Sequence, residues 1–413
     1  MLIMMNGINS RDQAVSVINY LLVVTLACTL LLPSFRIVSN IPAIDFSDIL
    51  IPIIFAIALF FSQEKLVKTI NSNATYCYVF SIFLSVVILS IIVNGRYLQI
   101  RDWLEVFKYI KFFGAFILCI TFLNYKMLLL WLKAIFIGLL VFNTLHYFNL
   151  FNFNKLIEPY YAAKHHLDFF GLNSIGEPAT KRALGTLGNP NNNGFLFLIF
   201  TIIFLPSKED NFNWKNLIFP TLSILAMIAC QSRTVFIAFI PTLLVYFYFS
   251  KINWRFVLYF VLVAVLVFIQ FDYFGNSYIG SISNANTMEN AGRSRWDEWT
   301  KIVQSMPGNW LLGHGPNKQF FESNGIYAES EYLLILFRYG IIGLIAYLFF
   351  FASLLHKNIQ RDFIPWSIIF YFFLAYLIVA LTNTPFHSVK LNVLIAVVLS
   401  LGWLKSKNAK ETV

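Results

Sequence analysis

The 413-residue sequence is 58% hydrophobic and only 12% charged, contains 45 Phe and has a mean hydropathy of +0.70. That mix excludes a soluble globular domain and describes a chain solvated by lipid over most of its length. The net charge of +10 is dispersed among connecting segments instead of gathered on one aromatic-studded surface, which excludes nucleic acid as the expected partner.

Apolar runs long enough to cross a bilayer, roughly 20 residues each, recur from Val15 to Leu404. A hydropathy window gives about twelve spans, at approximately 15–33, 44–61, 75–93, 104–123, 127–150, 192–206, 216–230, 234–250, 256–271, 331–355, 364–381 and 390–404. The expected fold is an all-α polytopic membrane protein. Met1 to Gln13 holds an Arg and an Asp and no small-residue cleavage site follows it, so the first span is expected to be retained. With the amino terminus cytoplasmic, Lys65, Lys68, Lys126, Lys208, Lys215, Lys251, Arg255, Lys357, Arg361, Lys405, Lys407 and Lys410 all fall inside, as the positive-inside bias requires. Both termini are then cytoplasmic.

No repeat and no Pro/Ser-rich linker divides the chain, so residues 1–413 are expected to form a single membrane domain. Two long loops, 151–190 and 272–330, interrupt the pattern of short connections and emerge on the same outer face; loops of that length in a compact fold are usually functional. Cys28, Cys77, Cys119 and Cys230 all lie in expected spans at wide spacing, which suits packing and neither a disulfide framework nor a zinc site. His165, His166 and Asp168 sit together in the first loop, where an ordinary polar loop explains them.

Three segments carry candidate chemistry, all at the outer boundary. Arg182 to Gly194 is polar and Gly-rich and leads directly into an apolar span; Asn189 to Asn193 would supply helix caps, or the segment would meet substrate. The second is Gln231-Ser232-Arg233-Thr234, a connection of a few residues between two apolar spans. An Arg at a helix start opposes the macrodipole, so Arg233 is expected to serve an anion, above all a diphosphate accepting two parallel hydrogen bonds, or else to reach toward lipid headgroups.

The third lies in the second loop and beyond it. Trp296, Trp299, Ile302, Val303 and Met306 follow helical spacing, giving an interfacial helix near 293–306 that ends in a Gly- and Pro-rich turn around His314. Tyr327-Ala-Glu-Ser-Glu-Tyr-Leu333 and Arg338-Tyr-Gly-Ile-Ile-Gly343 follow. Glu331 and Arg338 share one helical face about two turns apart, as a functional pair or a plain buried ion pair. Arg338 within an apolar run costs about 2.5–3.5 kcal/mol unless partnered, which marks it as functional by default. The cluster Arg101, Asp102, Glu105, Lys108 and Lys111 before the fourth span is expected to be a charged interfacial helix face.

Arg182 through Asn191, the Ser232-Arg233 turn, the Arg293-Ser-Arg-Trp helix and the block from Gly313 to Gly343 resemble, in this order, the O-antigen polymerase (Wzy) and O-antigen ligase superfamily. The resemblance implies a metal-independent glycosyltransferase of the C type in a bacterial inner membrane, using an undecaprenyl-diphosphate-linked oligosaccharide donor and no cofactor. It implies a chain-length regulator protein as a partner beside membrane lipids. By the same resemblance Arg233, Arg293 and Arg295 hold the donor diphosphate; Arg338 is expected to help them, and Arg182, Asn189, Asn191 and His314 are expected to bind substrate. Ligases carry a His two residues before the position of Glu331, in a His-Asn-x-Tyr-Leu pattern; here Glu329 occupies that place. The departure favours polymerisation of O-antigen or capsule repeat units over ligation to lipid A core, and leaves Glu329 and Glu331 as alternative bases. The alternative of another class, a lipid-linked oligosaccharide flippase or a solute transporter, would show repeated halves and broken helices at mid-depth.

Overall fold

Lipid leaves a backbone no partner outside its own segment, so apolar runs fold as helices. The computed structural model describes residues 10–35, 43–161, 182–206, 213–250, 254–260, 262–263, 285–324, 328–361 and 368–411. Its helices are α1 (Ser10–Leu31), α2 (Phe46–Phe61), α3 (Gln63–Ser72), α4 (Ala74–Val93), α5 (Ile100–Phe122), α6 (Tyr125–Phe148) and α7 (Phe153–Tyr161). There follow α8 (Pro190–Phe204), α9 (Trp214–Ala229), α10 (Arg233–Ser250), α11 (Ala285–Gln304), α12 (Lys318–Asn324), α13 (Glu331–Arg361), α14 (Ile368–Val379) and α15 (Val389–Glu411). Residues 254–260 are also helical, and the rest of that expected span from 264 onward lies outside the described residues.

The all-α membrane architecture holds, but the span count does not carry over directly. Among the described residues five helices are long and apolar enough to cross a membrane, or six if α2 and α3, bent by 106°, form one span. Twelve is therefore not established, and the causes are physical. The first half of α5 carries five charges, and the apolar parts of α8, α9, α10 and α14 run 10–17 residues. At ~1.5 Å per residue such segments cover about 15–26 Å of a core roughly 30 Å thick.

Helix α15 is the centre: 89% of its apolar stretch is buried, against 33–56% for the other four long spans. Helices α1, α5, α6, α8, α13 and α14 surround it. The ends of these helices that lead into the long loops gather at one end of the bundle, as cross-links between distant segments show. Lys390 Nζ donates to Leu32 O at 2.7 Å and Thr186 O at 2.8 Å, and the Leu184 N–H donates to His146 Nε2 at 3.2 Å.

Helix α13 is broken. Gly340 has φ 67° and ψ −169°, a conformation essentially reserved for glycine. The break exposes carbonyls that the 310–314 turn and α4 then satisfy: His314 N–H donates to Phe337 O at 2.9 Å and Ser90 Oγ to Arg338 O at 2.8 Å. In return Ile341 N–H donates to Trp310 O at 2.8 Å. Two glycines make this approach possible, since a Cβ on Gly313 would sit 2.5 Å from the Arg338 carbonyl carbon and one on Gly340 would sit 2.2 Å from Leu311 O.

The helix expected near 293–306 is present as α11, longer toward its amino terminus. Ile302 and Met306 are buried against Phe337 of α13, so one face packs on protein while Trp296 stays exposed. His165, His166 and Asp168 lie outside the described residues, as does the Arg293 side chain.

Candidate functional site

The Arg182–Gly194 segment builds its own scaffold. Asn189 Oδ1 accepts from the Asn191 N–H at 2.9 Å and the Asn192 N–H at 3.1 Å, capping α8 as its position before Pro190 suggests. Arg182 Nε donates to Cys230 O at 3.1 Å, a cation at the carboxyl end of α9 where the helix dipole favours one. Its Nη2 donates to Asn191 Oδ1 at 2.9 Å, and Ser232 Oγ donates to the same oxygen at 2.9 Å. Arg182 and Asn191 thus help to shape the turn that begins at Ser232, while Asn189 caps α8. Gln231, at φ 48°, ends α9, and Ser232 O accepts the Phe236 N–H at 3.1 Å to begin α10.

That turn touches the last connection of the chain. Thr234 Oγ1 and Thr382 Oγ1 lie 2.8 Å apart. The same connection holds Glu331: its N–H donates to Ala380 O at 2.9 Å, its Oε2 accepts the Phe386 N–H at 3.1 Å, and its Oε1 faces His387 Nδ1 at 2.5 Å. Glu331 is wholly buried, at 0% exposure. The sequence alone did not single out Thr382 or His387.

Glu331 and Arg338 share the expected face but do not pair with each other; both reach Glu105 of α5 instead, Glu331 through His387. Arg338 Nη1 is 3.4 Å from Glu105 Oε2, and His387 Nε2 is 3.8 Å from the same atom. Lys318 Nζ pairs with Glu105 Oε1 at 2.8 Å, and Lys108 pairs with Glu105 Oε2. This corrects the expectation of a charged interfacial helix face: Asp102, Glu105, Lys108 and Lys111 are all buried, and Lys111 pairs with Asp48 at 2.6 Å. A signal was present, since Asp102, Glu105, Tyr109, Phe112 and Phe116 follow helical spacing and run the charges into an apolar face.

The His387 ring is held firmly. Phe386 beside it is buried in an aromatic socket, stacked on Tyr109 at 5.7 Å and edge-on to Phe112, Tyr347 and Phe351. Burial, and then the positive charge of Lys108, pull the His387 imidazole below its ordinary 6.5, against the opposing pull of Glu331. The ring is therefore neutral at pH 7.

On the loop side Arg295 Nε donates to Glu329 Oε2 at 2.5 Å, a half-exposed pair. Burial and the neighbouring Glu329 push the Glu298 carboxyl above the usual carboxylate range. His314 has both nitrogens engaged, Nε2 with Ser305 O at 2.9 Å and Nδ1 with Asn309 Nδ2 at 3.2 Å, and stacks on Phe337. It closes the turn that fills the α13 break. Among the described residues no three His, Cys, Asp or Glu side chains are grouped to hold a metal ion.

Buried cations and carboxylates thus meet a short Ser-Arg turn at one end of an all-helical apolar bundle. Residues 219–348 match the Wzy_C family, O-antigen ligase. The match is consistent with the O-antigen ligase and polymerase superfamily. The superfamily's members are glycosyltransferase-like enzymes working in membranes on lipid-linked sugars. No curated protein matches the chain. The matched segment includes Arg233, Arg295, His314, Glu329, Glu331 and Arg338, whereas Glu105, Arg182 and His387 lie outside it.

Proposed function

We propose that the protein polymerises undecaprenyl-diphosphate-linked oligosaccharide repeat units into O-antigen or capsular polysaccharide, by glycosyl transfer at the outer face of a bacterial inner membrane. The observation that carries this is the meeting of the Ser232-Arg233-Thr234 turn and Glu331 on one segment, through Thr382 and His387. It brings the expected diphosphate-binding turn and the expected base region to one end of the bundle. Direct displacement of a diphosphate needs a stabilised leaving group and one base, and no pair of glycosidase carboxylates.

Arg233 and Arg295, with Arg293 and Arg338, neutralise the departing lipid diphosphate, a role for which planar guanidinium groups are suited. No metal is required in this scheme, and polymerisation is expected to survive excess chelator. Glu329 in place of the ligase His favours polymerisation over transfer to lipid A core. Neither expected carboxylate is free to act as base as it stands: Glu329 is engaged by Arg295, and Glu331 spends both oxygens on His387 and Phe386.

Deleting the gene and resolving envelope polysaccharide on a gel tests the proposal. A polymerase leaves a single-repeat cap; an uncapped core with accumulated lipid-linked polymer would point to a ligase, and accumulated unflipped units to a flippase.

A further inference from the structure

The two ends of the His387 ring have different partners. Nδ1 faces Glu331 Oε1 at 2.5 Å, and a buried carboxylate opposite a ring nitrogen fixes the proton on that nitrogen. Nε2 is left as the acceptor end. Around it stand Tyr109 Oη at 3.4 Å and Glu105 Oε2 at 3.8 Å, the latter beyond hydrogen-bond reach. Tyr109 has one hydroxyl proton and a second acceptor, Tyr339 Oη, also at 3.4 Å. The Nε2 lone pair is therefore only weakly used by the protein.

The charges facing the ring are Glu331 from α13, Glu105 and Lys108 from α5, Arg338 from α13 and, across Glu105, Lys318 from α12. Tyr109 and Tyr339 are the neutral titratable neighbours. Three cations already contact Glu105, so a resident imidazolium would be repelled, while a proton taken up briefly during reaction would be stabilised by Glu331. Lys318, with its side chain 25% exposed, is the open side of this otherwise buried cluster.

We propose that His387 is the general base that takes the proton from the acceptor sugar hydroxyl, and that Glu331 is the residue that positions it. The inference rests on glycosyl transfer as proposed above. The acceptor O–H gives its proton to Nε2 as its oxygen bonds to the anomeric carbon of the donor. The bond from that carbon to the diphosphate oxygen breaks, and its electron pair leaves with the lipid diphosphate. The imidazolium then returns its proton to solvent. Neither Glu329 nor Glu331 changes protonation in this step.

The test is the rate of glycan extension and lipid-diphosphate release by the purified full chain in nanodiscs, with a lipid-diphosphate-linked repeat unit, across pH. In the wild type the rate falls on the acid side as His387 takes up a proton. His387→Gln is expected to lose about a hundredfold or more in rate, the usual scale for removing a general base, with donor binding retained. Glu331→Gln removes the group that holds the imidazole pKa up, so its acid limb moves to lower pH. Lys108→Met removes a cation that holds that pKa down, so its limb moves to higher pH, and this variant leaves the His387–Glu331 pair intact. Wild-type rates in His387→Gln, or an acid limb that stays in place in folded Lys108→Met, would overturn the assignment while leaving glycosyl transfer standing. Wild-type protein that neither lengthens the glycan nor releases lipid diphosphate would remove glycosyl transfer itself, and this inference with it.

Discussion

Arg295 Nε and Glu329 Oε2 lie 2.5 Å apart, joining helix α11 to the segment that enters α13. The residue expected to grip the donor diphosphate and the residue expected to act as base therefore occupy each other. Their side chains are 34% and 43% exposed, and such a pair contributes under about 1 kcal/mol. The donor can thus displace Glu329 at small cost. Glu329→Gln should tighten binding of the lipid diphosphate by up to about fivefold, the equivalent of ~1 kcal/mol, and should retain most of the polymerisation rate. Weaker binding in Glu329→Gln would show that Arg295 does not serve the diphosphate. Loss of polymer with binding intact would return the base role to Glu329.

Arg233 begins α10, where a cation is unfavourable to the helix dipole, so its retention there has to be explained by a ligand or by the turn. Arg233→Lys keeps the charge and loses the planar fork; it should lower the polymerisation rate by tenfold or more, about 1.4 kcal/mol in the barrier. Arg233→Ala should be worse. Lys68→Ala, exposed on α3 and away from the cluster, should be silent. Normal chain length from Arg233→Ala would remove the diphosphate clamp from the mechanism.

Gly313 and Gly340 make a different kind of demand. Both have positive φ and both back directly onto another backbone, whereas Gly308, at φ 88°, has open space around it. Gly308→Ala should cost only the left-handed conformation, about 1–2 kcal/mol. Gly340→Ala and Gly313→Ala must also push the 310–314 turn off the α13 break, taking Arg338 and its approach to Glu105 with it. The thermal midpoint of detergent-solubilised protein should fall much further for these two than for Gly308→Ala. Equal shifts for all three would mean that the turn does not pack into the break.

The helices were legible because lipid permits few alternatives: each long apolar run has to satisfy its own backbone. The cap at Asn189 and the α11 helix were legible for local reasons, a polar residue before Pro190 and the spacing of Trp299, Ile302 and Met306. The meeting of Glu105 with His387 was not, because no local pattern relates the two. They lie far apart in the chain and meet only because α5 and α15 both pack at the bundle centre. Read from sequence, charges at the head of an apolar run look solvated; Lys318 and Arg338, which arrive from elsewhere, are what make their burial tolerable. The role expected for His314 failed to gain support for a similar reason, since Ser305 and Asn309, which engage both its nitrogens, hold it in a turn whose packing into the broken helix is a tertiary feature.

The side of the membrane on which this cluster sits decides whether lipid-linked units delivered to the outer face can reach it. From the Lys and Arg bias of the short connections α3 is expected inside and α12 outside. Ser72, at the end of α3, and Ser323, in α12, are both exposed, and none of the four native cysteines is. A Cys introduced at Ser323 in intact spheroplasts should react with a membrane-impermeant maleimide, and one at Ser72 should react only after permeabilisation. Lys318, on the same short helix as Ser323, contacts Glu105, so labelling at Ser323 reports the side of the proposed site itself. The opposite pattern would place the His387 cluster in the cytoplasm. A polymerase working on the outer face would then be excluded, whatever the deletion phenotype.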